Sequence, residues 1–511
     1  MSAPDAYYVT TPIYYVNDSP HIGHAYTTLA CDALARFMRL DGRRVFFLTG
    51  TDEHGQKVEK AAQARGVDPQ AFTDEVSRRF RHLAQAMNFS HDDFIRTTEE
   101  RHKRSVQHLW QVLVGAGEIY LGSYAGWYAV RDEAFYAESE IEDGKAPSGA
   151  PVEWVEEPSY FFRLSAWQDR LLAFYEAHPD FVLPETRRNE VVAFVRGGLQ
   201  DLSVSRTTFE WGVPVPNDPD HVMYVWLDAL TNYLSAVGYP DTDGAAFRTF
   251  WPCDVHVVGK DILRFHAVYW PAFLMAAGIE PPARVFAHGW WTNEGQKISK
   301  SLGNVIDPLA LIETYGLDQT RYFLLREVPF GSDGDFRHDA MVRRMNADLA
   351  NDYGNLCQRV LSMIARNCAG RVPEPGPLTP DDEALLEQVR SLLDQCRAHM
   401  SRQASHLALE AIWRVVAEAN RYVDAQAPWT LRKTDPARMA TVLRVLAETI
   451  RRLAILTQPF MPDSSARILD LLAVEGRDFA ALETSLATGA ALPAPQGVFP
   501  RYQGADTERA G

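Results

Sequence analysis

Residues 6–15 read AYYVTTPIYY, residues 16–20 read VNDSP, and His21, Ile22, Gly23 and His24 follow at once. The first segment is rich in Tyr, Val, Ile and Thr, which suits one buried strand over 6–15; the second is turn chemistry that sets Pro20 near a first helical turn. A helix is expected from His21 to about Leu40, with Leu29, Ala30, Ala33, Leu34 and Phe37 on one face and Gly42 ending it. Val45 to Thr49 is the next apolar strand. Strand, turn, helix, strand is a nucleotide-binding βαβ unit, in which unpaired backbone N–H groups and the helix dipole at the turn attract phosphate. His21 and His24 can donate to the same oxygens, and Gly23 allows close approach. Taken alone, two histidines at this spacing also suit a metal site or a helix cap. Neither GxxxxGK[ST] nor GxGxxG occurs, so the P-loop and dinucleotide readings lack their residues.

Far downstream, Lys297, Ile298, Ser299, Lys300 and Ser301 form a second short motif on a glycine-flanked loop. Cleavage between the α- and β-phosphates of a nucleotide builds negative charge on phosphorus and on departing pyrophosphate. Mobile ammonium groups are needed where that charge appears, and Lys297 and Lys300 supply them. A Lys/Ser loop by itself is equally a solvated surface; the helix-start histidines favour the chemical reading.

The two motifs resemble the HIGH and KMSKS signatures of class I aminoacyl-tRNA synthetases, with Ile298 in place of the usual methionine. The stretches TPIYYVNDSPHIGHAYTT, LTGTDEHG, YVWLDALTNY, VVGKDILRFHAVYWP and KISKSLGN resemble the methionyl-tRNA synthetases, and the likeness spans nearly the whole chain. It implies an α/β fold: a Rossmann-like doubly wound parallel sheet with an inserted connective-peptide domain, followed by an all-α anticodon-binding helix bundle. It also implies L-methionine, ATP with Mg²⁺, and initiator and elongator tRNA as substrates. Two rivals are a catalytically silent paralogue that binds tRNA and a small-molecule adenylyltransferase. The first would be expected to lose a signature histidine or lysine; the second leaves the Lys loop and the helical C-terminal third unexplained.

Bulk properties narrow the field. At 511 residues, 46% apolar and 23% charged, the chain suits several cores in an ordinary globular protein. Cys31, Cys253, Cys357, Cys368 and Cys396 are odd in number and scattered, with no CxxC pair, which disfavours a disulfide framework or zinc knuckle and fits a reducing cytoplasm. No cationic apolar leader and no apolar run of about 18 residues is seen, so neither secretion nor a membrane span is expected. A net charge of −16 is unusual for an RNA-binding protein. Screening over about 8 Å still lets a local basic surface act, with Arg343, Arg344, Arg359, Arg366, Arg432 and Lys433 as candidates.

Six regions are expected. Residues 1–115 form the first half of the catalytic fold and 116–223 the connective-peptide insertion, which carries GWYAVRDEAFYAESE and EEPSYFFRLS. Many relatives bind zinc through cysteines there; these positions hold none, so no structural zinc is expected. Residues 224–290 complete the catalytic fold, with VMYVW, DVHVVG and RVFAHGW as short strands, and 291–336 carry the Lys loop and a stem-contact region. Residues 337–490 read as helices near 337–367, 380–401, 404–426, 435–457 and 462–473, with the turn-rich GRVPEPGPLTP at 370–380. Residues 491–511 read as a tail that wraps the surface or frays. Lacking an extra dimerisation module, the chain is expected to be a monomer.

The amino-acid pocket follows from chemistry and then from the resemblance. Asp52, just after the strand ending at Thr49, is placed to hold an ammonium group; taken alone, Asp52, Glu53 and His54 also suit a metal cluster or a capped turn. A polarizable thioether calls for aromatic walls and a weak polar probe. The resemblance assigns Ile13, Tyr15, Trp226, Ala229, Leu230, Tyr233, Ile262, Phe265 and Trp270 to the walls, Tyr233 and His266 to hydrogen bonds toward sulfur, and Asp261 to the ATP ribose. His21, Gly23, His24, Lys297, Ser299 and Lys300 are the catalytic set, and His21, His24, Lys297 and Lys300 bind ATP. In the bundle, Asn355 and Arg359 share a helix face and Trp429 is available to stack a base, matching the family's anticodon-reading positions.

Overall fold

The strand Ala6–Thr10 occupies the middle of a seven-stranded sheet. The computed structural model describes residues 5–16, 19–132, 134–298 and 303–504. Sheet order is Tyr14–Tyr15, Arg44–Asp52, Ala6–Thr10, Val255–Gly259, Val285–His288 and Val182–Leu183, with Asp93–Arg96 paired to Arg44–Asp52 off that path. Parallel pairing sets Val9 opposite Val255, Val257 opposite Phe286, Leu48 opposite Asp93 and Tyr15 opposite Asp52. Ala6–Thr10 is thus flanked by one strand from each half of the fold. That is the topological switch point of a doubly wound sheet, where ligands bind beyond the carboxyl ends of the strands.

Three local readings need correction. The expected single strand over 6–15 is two, Ala6–Thr10 and Tyr14–Tyr15, because Pro12 has no N–H to give a ladder. The second strand runs Arg44–Asp52, so Asp52 is its last residue rather than lying beyond it. The apolar VMYVW is divided: the strand ends at Met223 and a helix, Val225–Leu230, takes Trp226. Tertiary packing there overrides a β-branched and aromatic composition.

The first helix, Ile22–Leu40, buries Leu29, Ala30, Ala33, Leu34 and Phe37, and Gly42 follows it at φ +82°. Each large side chain so buried contributes about 1.5–3 kcal/mol. The chain divides into two units. One comprises Ala6–Cys31 and Val45–His288, the other Asp32–Arg44 with Gly289 onward. This helix therefore contributes its first half to one unit and its second half to the other.

In the first unit, the region read as an insertion also contributes to the main fold. It builds its own antiparallel sheet on the pair Ile119–Ala129 and Glu153–Phe162, yet Val182–Leu183 extends the parallel sheet at its edge. Phe162, Leu171 and Tyr175 share one apolar cluster with Tyr8, Leu48 and Val258.

From residue 380 onward the second unit's helices are Pro380–Arg390, Leu392–Met400, Ser405–Gln426, Pro428–Thr434, Pro436–Thr457 and Pro462–Leu471, four of them opened by proline as the missing N–H permits. The helical run before them contains a π-helical stretch, Arg344–Gly354. The tail wraps rather than frays up to its last described residues: Val498 and Phe499 are buried, and the Tyr502 N–H donates to Asn346 at 2.8 Å. Among the described residues, no helix is long and apolar enough to cross a membrane.

Candidate active site

His21 and His24 lie at the start of the first helix, with ring centroids 3.9 Å apart. The Gly23 N–H donates to His21 Nδ1 and the His21 N–H donates to His24 Nδ1, both at 3.1 Å. Each Nδ1 is therefore an acceptor, and each ring's proton sits on Nε2. Burial holds His21 below the ordinary imidazole range, partly offset by Asp261, and burial and then the neighbouring His21 hold His24 well below it. Both rings are neutral donors near pH 7. They cap the helix through Nδ1 and carry their remaining proton on Nε2. A Cβ on Gly23 would lie 3.0 Å from the His21 ring, so glycine at this position makes room for the imidazole itself.

Thr27, one turn on, anchors the helix to the second half of the fold, its hydroxyl 2.7 Å from His288 Nε2 at the end of Val285–His288. Asp261 lies in the turn that follows Val255–Gly259 and is exposed. No sequence motif points to His288; only the Val285–His288 strand end signals it.

Asp52 ends its strand almost fully buried, 6% exposed. The residues expected to wall the pocket divide by depth. Ile13, Tyr15, Trp226, Ile262 and Phe265 are half-buried and pack on the central apolar cluster, whereas Ala229, Leu230, Tyr233, His266 and Trp270 are buried. Trp226 stacks on Phe265 with centroids 3.7 Å apart and planes 7° apart. The Trp270 indole N–H, fully buried, has no hydrogen-bond partner among the described residues.

The polar probe differs from expectation. The Tyr233 hydroxyl lies 2.7 Å from His266 Nε2, and His266 Nδ1 lies 2.9 Å from the Ile262 carbonyl. A carbonyl only accepts, so Nδ1 carries the proton and Nε2 accepts from Tyr233. Burial pulls His266 down to about 4 and keeps the Tyr233 phenol protonated, so this arrangement holds at neutral pH. Both His266 nitrogens are spent within the protein. His266 therefore holds the Tyr233 hydroxyl, which has spent its proton on that bond and can only accept from a further partner.

In the other unit, Trp291–Asn293 and Gln296–Lys297 pair as a hairpin through Glu294 and Gly295, both at positive φ, 49° and 78°. That is the mirror-image two-residue turn that glycine favours. Asp335 Oδ1 accepts from the Gly295 N–H at 2.8 Å and from Thr292 at 2.6 Å. Asn304 grips both strands, accepting from Asn293 at 2.9 Å and donating to the Lys297 carbonyl at 3.1 Å. Lys297 is exposed, its Nζ 5.7 Å from the Trp290 ring centre. Ser299, Lys300 and Ser301 lie outside the described residues. Sequence reasoning misses Asp335 and Asn304, since no motif marks them.

The bundle brings two of the three expected RNA-reading residues into contact. The Arg359 guanidinium lies 5.4 Å from the centre of the Trp429 ring and is 2.9 Å from Asp424, while Trp429 is 44% exposed, so it is no core plug. Asn355 is exposed at the start of the helix carrying Arg359. Arg344, a basic-surface candidate from sequence, pairs with Glu327 at 2.7 Å and Asp348 at 3.0 Å.

Residues 7–150 and 145–361 match the family described as class I tRNA synthetases (M), and residues 372–510 match the anticodon binding domain of methionyl tRNA ligase. The chain belongs to the methionyl-tRNA synthetase family. Among methionyl-tRNA synthetases, it is 61% identical to the methionine–tRNA ligase of Mesorhizobium japonicum over 98% of each chain. It is 59% identical to that of Brucella suis over 99% of each. A solved structure of the Mycobacterium tuberculosis synthetase in complex with methionyl-adenylate is 56% identical, with a TM-score of 0.95 over 97% of this chain and all of that one. The break between the two family matches, at 361–372, runs into the turn-rich stretch at 370–380.

Proposed function

We propose that this chain joins methionine to tRNA by the two-step reaction of its family. The methionine carboxylate attacks the α-phosphorus of ATP, which enters as its magnesium complex; methionyl-adenylate and pyrophosphate form. The terminal adenosine hydroxyl of tRNA then attacks the activated carbonyl and releases AMP. No side chain forms a covalent intermediate, so positioning and charge stabilisation carry the catalysis.

The observation that carries this reading is the pair of neutral histidines capping a helix at the switch point, each with Nε2–H to donate. His21 and His24 hold phosphate oxygens, and Gly23 keeps the His21 ring in place. Lys297 and Lys300, with Ser299, stabilise the leaving pyrophosphate, and Asp261 holds the ATP ribose. Asp52 takes the methionine ammonium group. The thioether lies against Ile13, Tyr15, Trp226, Ala229, Leu230, Tyr233, Ile262, Phe265 and Trp270; the Tyr233 hydroxyl, whose proton goes to His266, is a polar neighbour of sulfur and gives it no hydrogen bond. Asn355, Arg359 and Trp429 read the anticodon of initiator and elongator tRNA from residues 337–490, a base stacked on Trp429 contributing about 1–3 kcal/mol. The cysteine-free insertion holds its form by its antiparallel sheet, without zinc. The protein works as a cytoplasmic monomer.

The test is ATP–pyrophosphate exchange with each of the twenty amino acids, alongside Lys300→Ala. Exchange driven by methionine alone and largely lost in the variant supports the assignment. Exchange with another amino acid keeps the reaction and overturns the substrate, and none with any points to a silent tRNA-binding paralogue.

A further inference from the structure

Asp52 is flanked by a residue whose side chain ties it to its own half of the fold and another whose side chain reaches across to the other half. Glu53 accepts from Arg96 Nε at 2.7 Å, Thr98 at 2.6 Å and Thr51 at 2.7 Å, which secures the strand end to its neighbouring strand. His54 Nδ1 instead lies 2.6 Å from Asp228 Oδ2, 174 residues away. Asp228 Oδ1 lies 2.7 Å from His102 Nε2, and His102 Nδ1 lies 3.1 Å from Ser235 Oγ. Asp228 and His102 are fully buried and His54 is 3% exposed.

A carboxylate wholly out of water is tolerated only when its oxygens are satisfied. Burial alone would raise the Asp228 carboxyl; the opposing pull of His54 and His102 holds it well below the usual carboxylate range. Each imidazole therefore presents an N–H to a charged acceptor, the stronger class of hydrogen bond. Asp228 sits on the helix Val225–Leu230, between Trp226 and Ala229, and Ser235 ends the next short helix, which carries Tyr233. The strand end that bears Asp52 and the two helices that bear the pocket walls meet at this one carboxylate.

We propose that Asp228 is a positioning residue for amino-acid recognition: by holding His54 and His102 at once, it fixes the distance between Asp52 and the walls formed by Trp226, Ala229 and Tyr233. The proposal rests on the methionine-activating function proposed for this site. Asp228 touches none of the reacting atoms, and the phosphate-facing His21 and His24 lie on a different element. Its loss falls on methionine and spares ATP.

The experiment is ATP–pyrophosphate exchange by the full chain, with methionine and ATP varied separately, in wild type, Asp228→Asn, His54→Phe and His54→Asn. Asn at 228 removes the charged acceptor and leaves one carbonyl oxygen for two imidazoles, so one ring must give up its bond to this side chain or change tautomer to accept from the amide. The methionine KM is expected to rise roughly 10- to 100-fold in Asp228→Asn and His54→Phe, with the ATP KM unmoved, since a displacement of about an ångström suffices for such a loss. His54→Asn, whose amide can take the place of Nδ1–H, is expected to restore the methionine KM; this pair decides the matter if Asp228→Asn does not fold. Equal rises in both KM values, or an unchanged methionine KM in His54→Phe, overturn the positioning role alone. A wild-type chain without methionine-dependent exchange overturns both this role and the function beneath it.

Discussion

Arg321 meets Asp32 at 2.7 Å in an ion pair from which water is wholly excluded on both sides. Arg321 also donates to the carbonyls of Phe460 at 3.0 Å and Pro459 at 3.1 Å, and Arg36 reaches the same Asp32 oxygen at 2.8 Å. Removing one member of such a pair strands a buried charge, whereas removing both does not. Arg321→Met is expected to cost about 3 kcal/mol in urea unfolding, and adding Asp32→Asn to recover more than half. Additive losses in the double variant would show that the two residues act separately.

Gly23→Ala separates folding from catalysis. Alanine favours a helix over glycine by up to about 1 kcal/mol, so stability should hold or rise. Its Cβ, however, falls 3.0 Å from the His21 ring and must displace it. Pyrophosphate exchange is expected to drop at least tenfold with an unchanged unfolding midpoint. Full activity would show that the His21 ring does not need glycine beside it.

Acid should weaken the fold through buried imidazoles. His266 titrates near 4 when folded and near the ordinary 6.5 when unfolded, so the unfolded chain binds the extra proton between these values. Stability from this group is complete above about pH 6.5 and is lost as pH falls toward 4. By that linkage, moving from pH 7 to 4.5 costs about 2 kcal/mol through His266 alone. His24 and His256, both held low by burial, add in the same direction. Urea titrations at the two pH values should show a smaller acid loss in His266→Asn than in wild type; equal losses would place the proton uptake elsewhere.

Trp429→Ala should leave amino-acid activation untouched. The ring is exposed and stacked by Arg359, so its removal opens no core cavity. The expected outcome is wild-type pyrophosphate exchange with a rise in the tRNA KM of roughly tenfold, since a stacked base is worth about 1–3 kcal/mol. An unchanged tRNA KM would remove Trp429 from the anticodon site.

Lys297→Ala should do the reverse, lowering kcat for exchange by about 10²–10³ as when one transition-state donor is deleted. The tRNA KM should not move. A loss confined to the ATP KM would instead make Lys297 a ground-state contact.

The first helix and its strands are legible in the sequence because their periodicity and turn residues agree over a long stretch, from Tyr7 to Asp52. Pro12 shows the limit: composition indicates one strand, and a single missing N–H makes two. Trp226 falls in a strand by composition because Val222 to Val225 look like one, whereas the strand ends at Met223 and Trp226 sits in a helix, stacked on Phe265. Likeness can propose pocket membership, but not hydrogen-bond direction. That Tyr233 gives its proton to His266 depends on the Ile262 carbonyl. Likewise the meeting of His54 with Asp228 spans 174 residues and leaves no local trace. Lys297 can be followed into the structure, whereas Lys300 lies outside the described residues.

The partition of the Ile22–Leu40 helix bears on how the chain is made. Residues 6–288 include every segment of one unit, so that unit can assemble before the ribosome has finished. Asp32, Asp41 and Phe37, on the later part of the helix and just past it, have partners at Arg321, Arg397 and Phe479. At about 5–20 residues per second those partners emerge tens of seconds later. During that interval a newborn chain presents a buried-type aspartate and a bare aromatic face to the cell, the kind of exposed surface that chaperones hold.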